Sequence, residues 1–150
     1  KGLINSCIFS VDILKETKQK YPLYPVSIIN INSISSLDKE TDPKFSIYVA
    51  SKFGIRGFTQ CLFNELRQFG IKVVDISPGW INTPMVDQHN NQHPDDQILS
   101  DQIMTVTDIA KTIEYVLDIS HKAVPTQITL YTQYSARNTN TISNYIHSKL

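Results

Sequence analysis

The chain has 150 residues, 41% hydrophobic and 19% charged, the balance of one globular domain able to close a core. Fourteen basic residues cancel fourteen acidic ones, which removes the electrostatic case for nucleic acid or an anionic membrane as a partner. No run approaches the roughly 18–20 apolar residues of a membrane span, and the stretch LINSCIFSVDIL lacks the pattern of a signal peptide, so the expected location is the cytoplasm.

In chain order, Leu3, Cys7, Ile8, Val11 and Leu14 step along residues 3–20 before Lys15, Lys18 and Lys20. That pattern predicts an amphipathic helix with cations at its negative end, stopped by Pro22 and Pro25. VSIININ at 26–32 is short and rich in β-branched residues, as a buried parallel strand requires. A polar loop, SISSLDKETDP, follows.

From 45 to 69 a long helix is predicted, with Ile55, Phe58, Leu62, Leu66 and Phe69 on one face. Gly54 and Gly57 each cost such a helix about 1 kcal/mol relative to alanine, which points to close packing against another backbone. Gly70 is placed to end it as a C-cap, and IKVVDIS at 71–77 is a second buried strand leading to a Pro78-Gly79 turn. Residues 87–102, DQHNNQHPDDQILSDQ, are read as a solvated loop, and the His89/His93 spacing within it as no metal site. Thr107 is the expected N-cap of a helix over 108–119 that faces Ile109, Ile113, Val116 and Leu117 inward. QITLY at 127–131 is a third strand, and 134–150 a polar tail with too few apolar residues to pack. Cys7 and Cys61 lack metal-ligand spacing and are expected to be reduced, buried thiols. Helix alternating with strand three times gives an α/β fold with a parallel sheet and helices on its faces.

Three features fall at the carboxyl ends of these strands, where open α/β sheets bind ligands. Ser33 follows the first strand, with Asn32, Ser35 and Ser36 as neighbours that leave the choice of hydroxyl open. Tyr48 and Lys52, in YVASK, lie four apart at the start of the next helix, hence on one face. An ammonium there favours the phenolate, and a tyrosine so placed can exchange a proton. Tyr145 and Lys149 repeat the spacing in the polar tail without that context. Pro78-Gly79-Trp80-Ile81-Asn82-Thr83 leaves the second strand, where Thr83 could equally cap a helix begun by Pro84.

Order, spacing and element type together resemble the C-terminal part of the short-chain dehydrogenase/reductase family over about residues 1–130. IININS and the long loop before Tyr48 look closest to members resembling dehydrogenase/reductase 11 and insect farnesol dehydrogenases. The resemblance implies a partial Rossmann-like, doubly wound parallel sheet and an NAD- or NADP-dependent interconversion of an alcohol and a carbonyl. It implies Tyr48 as the acid/base and Ser33 as a hydrogen-bond partner of the reacting oxygen. Lys52 would favour the phenolate and hold the nicotinamide ribose. Thr83 would bind the carboxamide, with Pro78, Gly79 and Ile81 against the ring. Partners are then a small-molecule alcohol or carbonyl and, in the completed protein, a like subunit.

The family's N-terminal part carries a glycine-rich turn for the cofactor pyrophosphate. The five glycines here, at 2, 54, 57, 70 and 79, form no such cluster, and the chain starts at lysine rather than methionine. The expectation is that residues 1–133 are the C-terminal portion of such a domain, inactive alone, with the edge of VSIININ left unpaired. The alternative from another class is a non-catalytic remnant, pairing at most with intact relatives.

Overall fold

Leu3, Cys7, Val11 and Leu14 recur at intervals of three and four, and they set one face of α1 (Gly2–Lys20) against the core. The structure, a computed structural model, describes residues 1–37, 45–94 and 97–133. Lys18 and Lys20 occupy the last turn of α1, favourable to its dipole. A turn in which the Tyr24 N–H donates to the Tyr21 carbonyl then accommodates Pro22. Ile8 was expected on the inner face but is 55% exposed, beside the exposed Phe9 and Ile13.

β1 (Ser27–Ile31), β2 (Lys72–Pro78) and β3 (Gln127–Leu130) form a parallel sheet in the order β1-β2-β3. Ile29 faces Val74 across the first pair, and Ile76 faces Ile128 across the second. Among the described residues β1 pairs only with β2, so its outer edge is unpaired, as expected. Every residue of β2 is buried, Lys72, Asp75 and Ser77 included, as befits a central parallel strand covered on both faces.

Two layers of helix cover the sheet. On one face Val26, Ile28, Ile71 and Val73 pack with α1 and with Leu62 and Leu66 of α2 (Ser46–Leu66). On the other, Val74 and Ile76 pack with Val116 and Ile113 of α4 (Val106–Asp118). The Lys72 ammonium, buried at the start of β2, donates to the carbonyls of Ile119 (2.8 Å) and Val116 (3.4 Å), where α4 leaves acceptors without helical partners. The result is the α/β arrangement that the alternating elements imply, and the partial Rossmann-like sheet that the resemblance implies. Among the described residues no helix is long and apolar enough to cross a membrane.

Several local expectations are corrected. Gly54 and Gly57 meet nothing within 4 Å where a Cβ would stand, so they face open space rather than another backbone. Residues 87–92, expected as loop, belong to a helix, α3 (Pro84–Gln92), begun by Pro84 where the missing N–H costs nothing. α4 is capped by Thr105, two residues before Thr107, because the Asp108 carboxylate reaches back to the Thr105 N–H and hydroxyl, both at 2.8 Å. Leu117 and Phe69 lie outward, the latter under the Lys15 ammonium at 4.6 Å. Cys61 is exposed, whereas Cys7 is buried; both are free thiols. Gly70 adopts the left-handed φ of 69° expected of a C-cap, at the end of a 3-10 turn over Arg67–Phe69. The polar tail, with Tyr145 and Lys149, lies outside the described residues, as do 38–44 and 95–96.

Candidate functional site

Alternation along the strands gives the α2-facing side of the sheet two characters. Toward the amino ends it carries Ile28 and Val73. Toward the carboxyl ends it carries Asn30, Asn32, Asp75 and Ser77, all buried. Buried polar groups of this kind are tolerated only when bonded to one another.

The Asn32 amide nitrogen donates to Asp75 Oδ2 at 2.8 Å and to the Lys52 carbonyl at 3.3 Å. Asp75 Oδ1 accepts from Ser77 Oγ at 2.5 Å, and the Ser77 and Ser36 hydroxyl oxygens lie 3.4 Å apart. The Lys52 ammonium donates to the Asn32 carbonyl at 3.2 Å. Asn32 and Lys52 are thus bonded in both directions, which ties the start of α2 to the end of β1. The Asn32 Oδ1 is buried without a partner among the described residues.

Ser33 follows Asn32 and is buried in extended backbone; its Oγ accepts the Ser35 N–H at 3.1 Å. Accepting leaves the hydroxyl's own proton for donation elsewhere. Of the neighbours that left the choice open, Ser36 is fully buried, donates to the Ser33 carbonyl at 2.8 Å and lies under Arg56, which donates to the Ser36 carbonyl at 3.2 Å. Ser35 is half-buried.

Tyr48 is the third residue of α2 and 38% exposed, so its ring stands at the rim rather than in the core. The Lys52 ammonium lies 5.4 Å from its centroid, within cation–π range, and Phe45 meets it edge-on at 6.3 Å. Lys52 therefore sits between the Tyr48 ring and the backbone carbonyl that precedes Ser33.

Pro78 ends β2 and is buried, and just beyond it the Gly79 N–H donates to the Leu130 carbonyl at 2.8 Å. A Cβ at Gly79 would lie 3.4 Å from Ile34 and 3.5 Å from that carbonyl, a close approach that suits glycine. Ile81 pairs with Met104, and Asn82 N–H donates to the Met104 carbonyl at 2.8 Å, which fixes the segment leaving the sheet. Thr83 is the N-cap of α3 by position, yet its side chain makes no capping bond. Lys52 thus touches both the Tyr48 ring and the Asn32 carbonyl that precedes Ser33, and Gly79 to Thr83 follow the end of the adjacent strand.

Asp75 and Ser77 were not singled out from sequence. One signal for Asp75 was present: a carboxylate inside an otherwise apolar strand read as buried on both faces needs a polar partner.

An open parallel sheet with helices on both faces and polar groups collected at the strand ends is a ligand-binding α/β architecture. Residues 25–94 match the family model described as short chain dehydrogenase. A short-chain dehydrogenase/reductase of Armillaria gallica is 47% identical over 57 residues, 38% of this chain and 22% of that protein. A diacetyl reductase [(S)-acetoin forming] of Staphylococcus aureus is 39% identical over 57 residues, again 38% of this chain and 22% of that protein. The solved 4-hydroxyisoleucine dehydrogenase complexed with NADH and succinate superposes with a TM-score of 0.60 at 26% identity, covering 87% of this chain and 54% of that one. The match spans less than a quarter of those curated relatives and about half of the solved chain. The family model over residues 25–94, the curated relatives and the solved neighbour together support a member of the short-chain dehydrogenase/reductase family. None of these three proteins is named as a dehydrogenase/reductase 11 or a farnesol dehydrogenase.

Proposed function

We propose that these residues form the catalytic side of an NAD(P)-dependent oxidoreductase that interconverts an alcohol and a carbonyl. The observation that carries the proposal is the position of Lys52, 3.2 Å from the Asn32 carbonyl and 5.4 Å from the centre of the Tyr48 ring. It sets an ammonium beside a phenol ring and beside the backbone carbonyl that precedes Ser33.

In this reading the Tyr48 hydroxyl gives a proton to the carbonyl oxygen in reduction and takes it from the alcohol in oxidation. Lys52 favours the ionised phenol through its charge, and the bond to the Asn32 carbonyl fixes where that charge stands. Ser33 donates to the oxygen on which negative charge develops, while the Ser35 N–H holds its Oγ in place.

The residues present suit the nicotinamide end of the cofactor. Gly79 leaves the backbone bare at the strand end, and Thr83 keeps its hydroxyl free of helix capping. Lys52 and Thr83 would hold the ribose and the carboxamide, with Pro78, Gly79 and Ile81 beside the ring. A bound nicotinamide supplies or accepts the hydride, which no side chain can do. The glycine-rich turn that seats the pyrophosphate in this family is not among these 150 residues. A like subunit is the proposed macromolecular partner, supported by the exposed Ile8, Phe9 and Ile13 of α1.

The test is a nicotinamide absorbance assay on the product of the whole gene, with diacetyl among the carbonyl substrates because of the Staphylococcus aureus relative. Tyr48→Phe should lower turnover by at least about 100-fold, the low end of general acid–base contributions, with cofactor affinity nearly unchanged. Retained turnover would remove Tyr48 from the role. The 150-residue chain alone should bind the cofactor negligibly.

A further inference from the structure

β2 is buried along its whole length, yet in the middle of it stands Asp75, 3% exposed. A carboxylate only accepts hydrogen bonds, so at that depth it must take them from neighbouring donors. It does so at both oxygens: Ser77 Oγ donates to Oδ1 at 2.5 Å, and Asn32 Nδ2 donates to Oδ2 at 2.8 Å. The first donor belongs to its own strand. The second lies just past the end of β1 and carries the consequence.

The Asn32 amide nitrogen has two hydrogens, and besides Asp75 it reaches the Lys52 carbonyl at 3.3 Å. A flipped amide would turn its oxygen toward two acceptors, so Asp75 and that carbonyl together fix which end faces them. The Asn32 N–H also donates to the Ile76 carbonyl at 2.7 Å, one residue beyond Asp75. Backbone and side chain of Asn32 are thus anchored on the same stretch of β2. The Asn32 carbonyl then accepts from the Lys52 ammonium at 3.2 Å. Lys52 is therefore tied to Asn32 twice: at its main chain through the amide that Asp75 orients, and at its side chain through the carbonyl.

We infer that Asp75 is a positioning residue for Lys52: acting through Asn32, it sets where the ammonium stands beside Tyr48. Its consequence for turnover rests on the proposed roles of Tyr48 and Lys52; its geometry does not. What the site requires of residue 75 is an acceptor oxygen. Asparagine there still offers one oxygen to Asn32 Nδ2 and can donate to Ser77, whose hydroxyl accepts as well as donates. Alanine offers none, so one buried amide N–H is orphaned and the amide loses the acceptor that fixes its rotation from β2.

The test uses the product of the whole gene, with Asp75→Asn and Asp75→Ala each compared with the unaltered protein by circular dichroism. Lysines are labelled with a trace of acetic anhydride, and labelling of Lys52 relative to the exposed Lys111 of α4 is mapped by mass spectrometry. Asp75→Ala should raise that ratio about threefold or more, within the range of one lost hydrogen bond, and Asp75→Asn should bring it back toward the unaltered value. Turnover should follow, reduced by alanine and largely recovered by asparagine. A ratio unmoved by alanine, or moved as far by asparagine, would overturn the inference. Where Asp75→Ala alone does not fold, Asn32→Ala combined with it removes the orphaned amide, keeps the residue-32 carbonyl, and should raise the ratio equally; an unmoved ratio there is equally fatal. Labelling does not depend on catalysis, so the two readings fail separately. Turnover retained by Tyr48→Phe would remove the catalytic role and leave the labelling pattern, whereas an unmoved ratio with Tyr48→Phe inactive would remove Asp75 alone.

Discussion

Asn30 joins three elements through one buried amide, and a double-mutant cycle measures what that junction contributes. Its Nδ2 donates to Thr59 Oγ1 of α2 at 2.9 Å, and its Oδ1 lies 3.5 Å from the Cys7 sulfur of α1. The Thr59 hydroxyl passes its own proton to the Ile55 carbonyl at 2.8 Å. Asn30 is 5% and Thr59 2% exposed, so water cannot replace a lost partner without a rearrangement. Thr59→Val keeps the shape and deletes the acceptor; the orphaned amide should cost about 1–3 kcal/mol. Asn30→Leu deletes the amide itself, leaves Thr59 bonded to Ile55, and should cost below about 1.5 kcal/mol through packing. With both changes no donor remains to be orphaned, so the double variant should cost little more than Asn30→Leu. The coupling is then about 1–2 kcal/mol, read from urea unfolding followed by circular dichroism and Trp80 emission. Single effects that add to within about 0.5 kcal/mol would refute the claim that this bond holds the layers together.

Other expectations follow from single positions. Gly70→Ala should lower the unfolding midpoint, because φ is 69° and a left-handed alanine costs about 1–2 kcal/mol. Gly54→Ala should raise it by about 0.5–1 kcal/mol, since the added methyl meets open space within a helix. A rise for Gly70→Ala or a fall for Gly54→Ala would contradict the assignment at that position. A thiol reagent should label the exposed Cys61 at once and Cys7 only on unfolding. Burial pushes the Cys7 thiol up from its usual 9.0, against a smaller lowering by Asn30. The folded state thus prefers the neutral thiol, and stability should fall as pH rises through 9.0 and on past the raised folded value, a trend that Cys7→Ala should weaken. The Asp108 carboxyl is held below its usual 3.8, first by the Thr105 N–H, then by its hydroxyl, with a further contribution from Lys111. Its stabilisation is present above 3.8 and should disappear as pH falls through the lower folded value, and Asp108→Asn should flatten that part of the acid titration of helicity.

What the sequence disclosed was whatever is local to it. Steps of three and four place α1, α2 and α4 because a helix face is written within about seven residues. Short runs rich in Val and Ile place β1 and β2 because both faces of a parallel sheet are covered. Tyr48 and Lys52 are legible for the same reason: their relation is one helical turn. Loop and helix were confused at 87–92 because asparagine, glutamine and histidine carry no apolar period. There the helix forms on Val86 packing against Ile98 and Ile103 and on the Asn90 amide bonding the Ile98 N–H and carbonyl, interactions with later parts of the chain. Gly54 and Gly57 misled because a glycine in a helix has two causes, close approach or simple tolerance, and composition cannot tell them apart.

The same distinction explains why the candidate site was legible only in part. Its reactive groups sit in short motifs, but the groups that position them come from separate strands: Asn32 meets Asp75 across 43 residues and Lys52 across 20. Such pairs arise from register. The β1–β2 ladder sets Asn30 beside Asp75, and the alternation of side chains then brings Asn32 and Ser77 to the same face. A one-residue slip would turn Val74 and Ile76 toward α2 and Asp75 toward the apolar face of α4. The apolar packing of both faces therefore opposes any slip. The hydrophobic pattern that selects the fold thereby fixes the polar network, and through the Asn32 carbonyl it fixes the ammonium beside Tyr48.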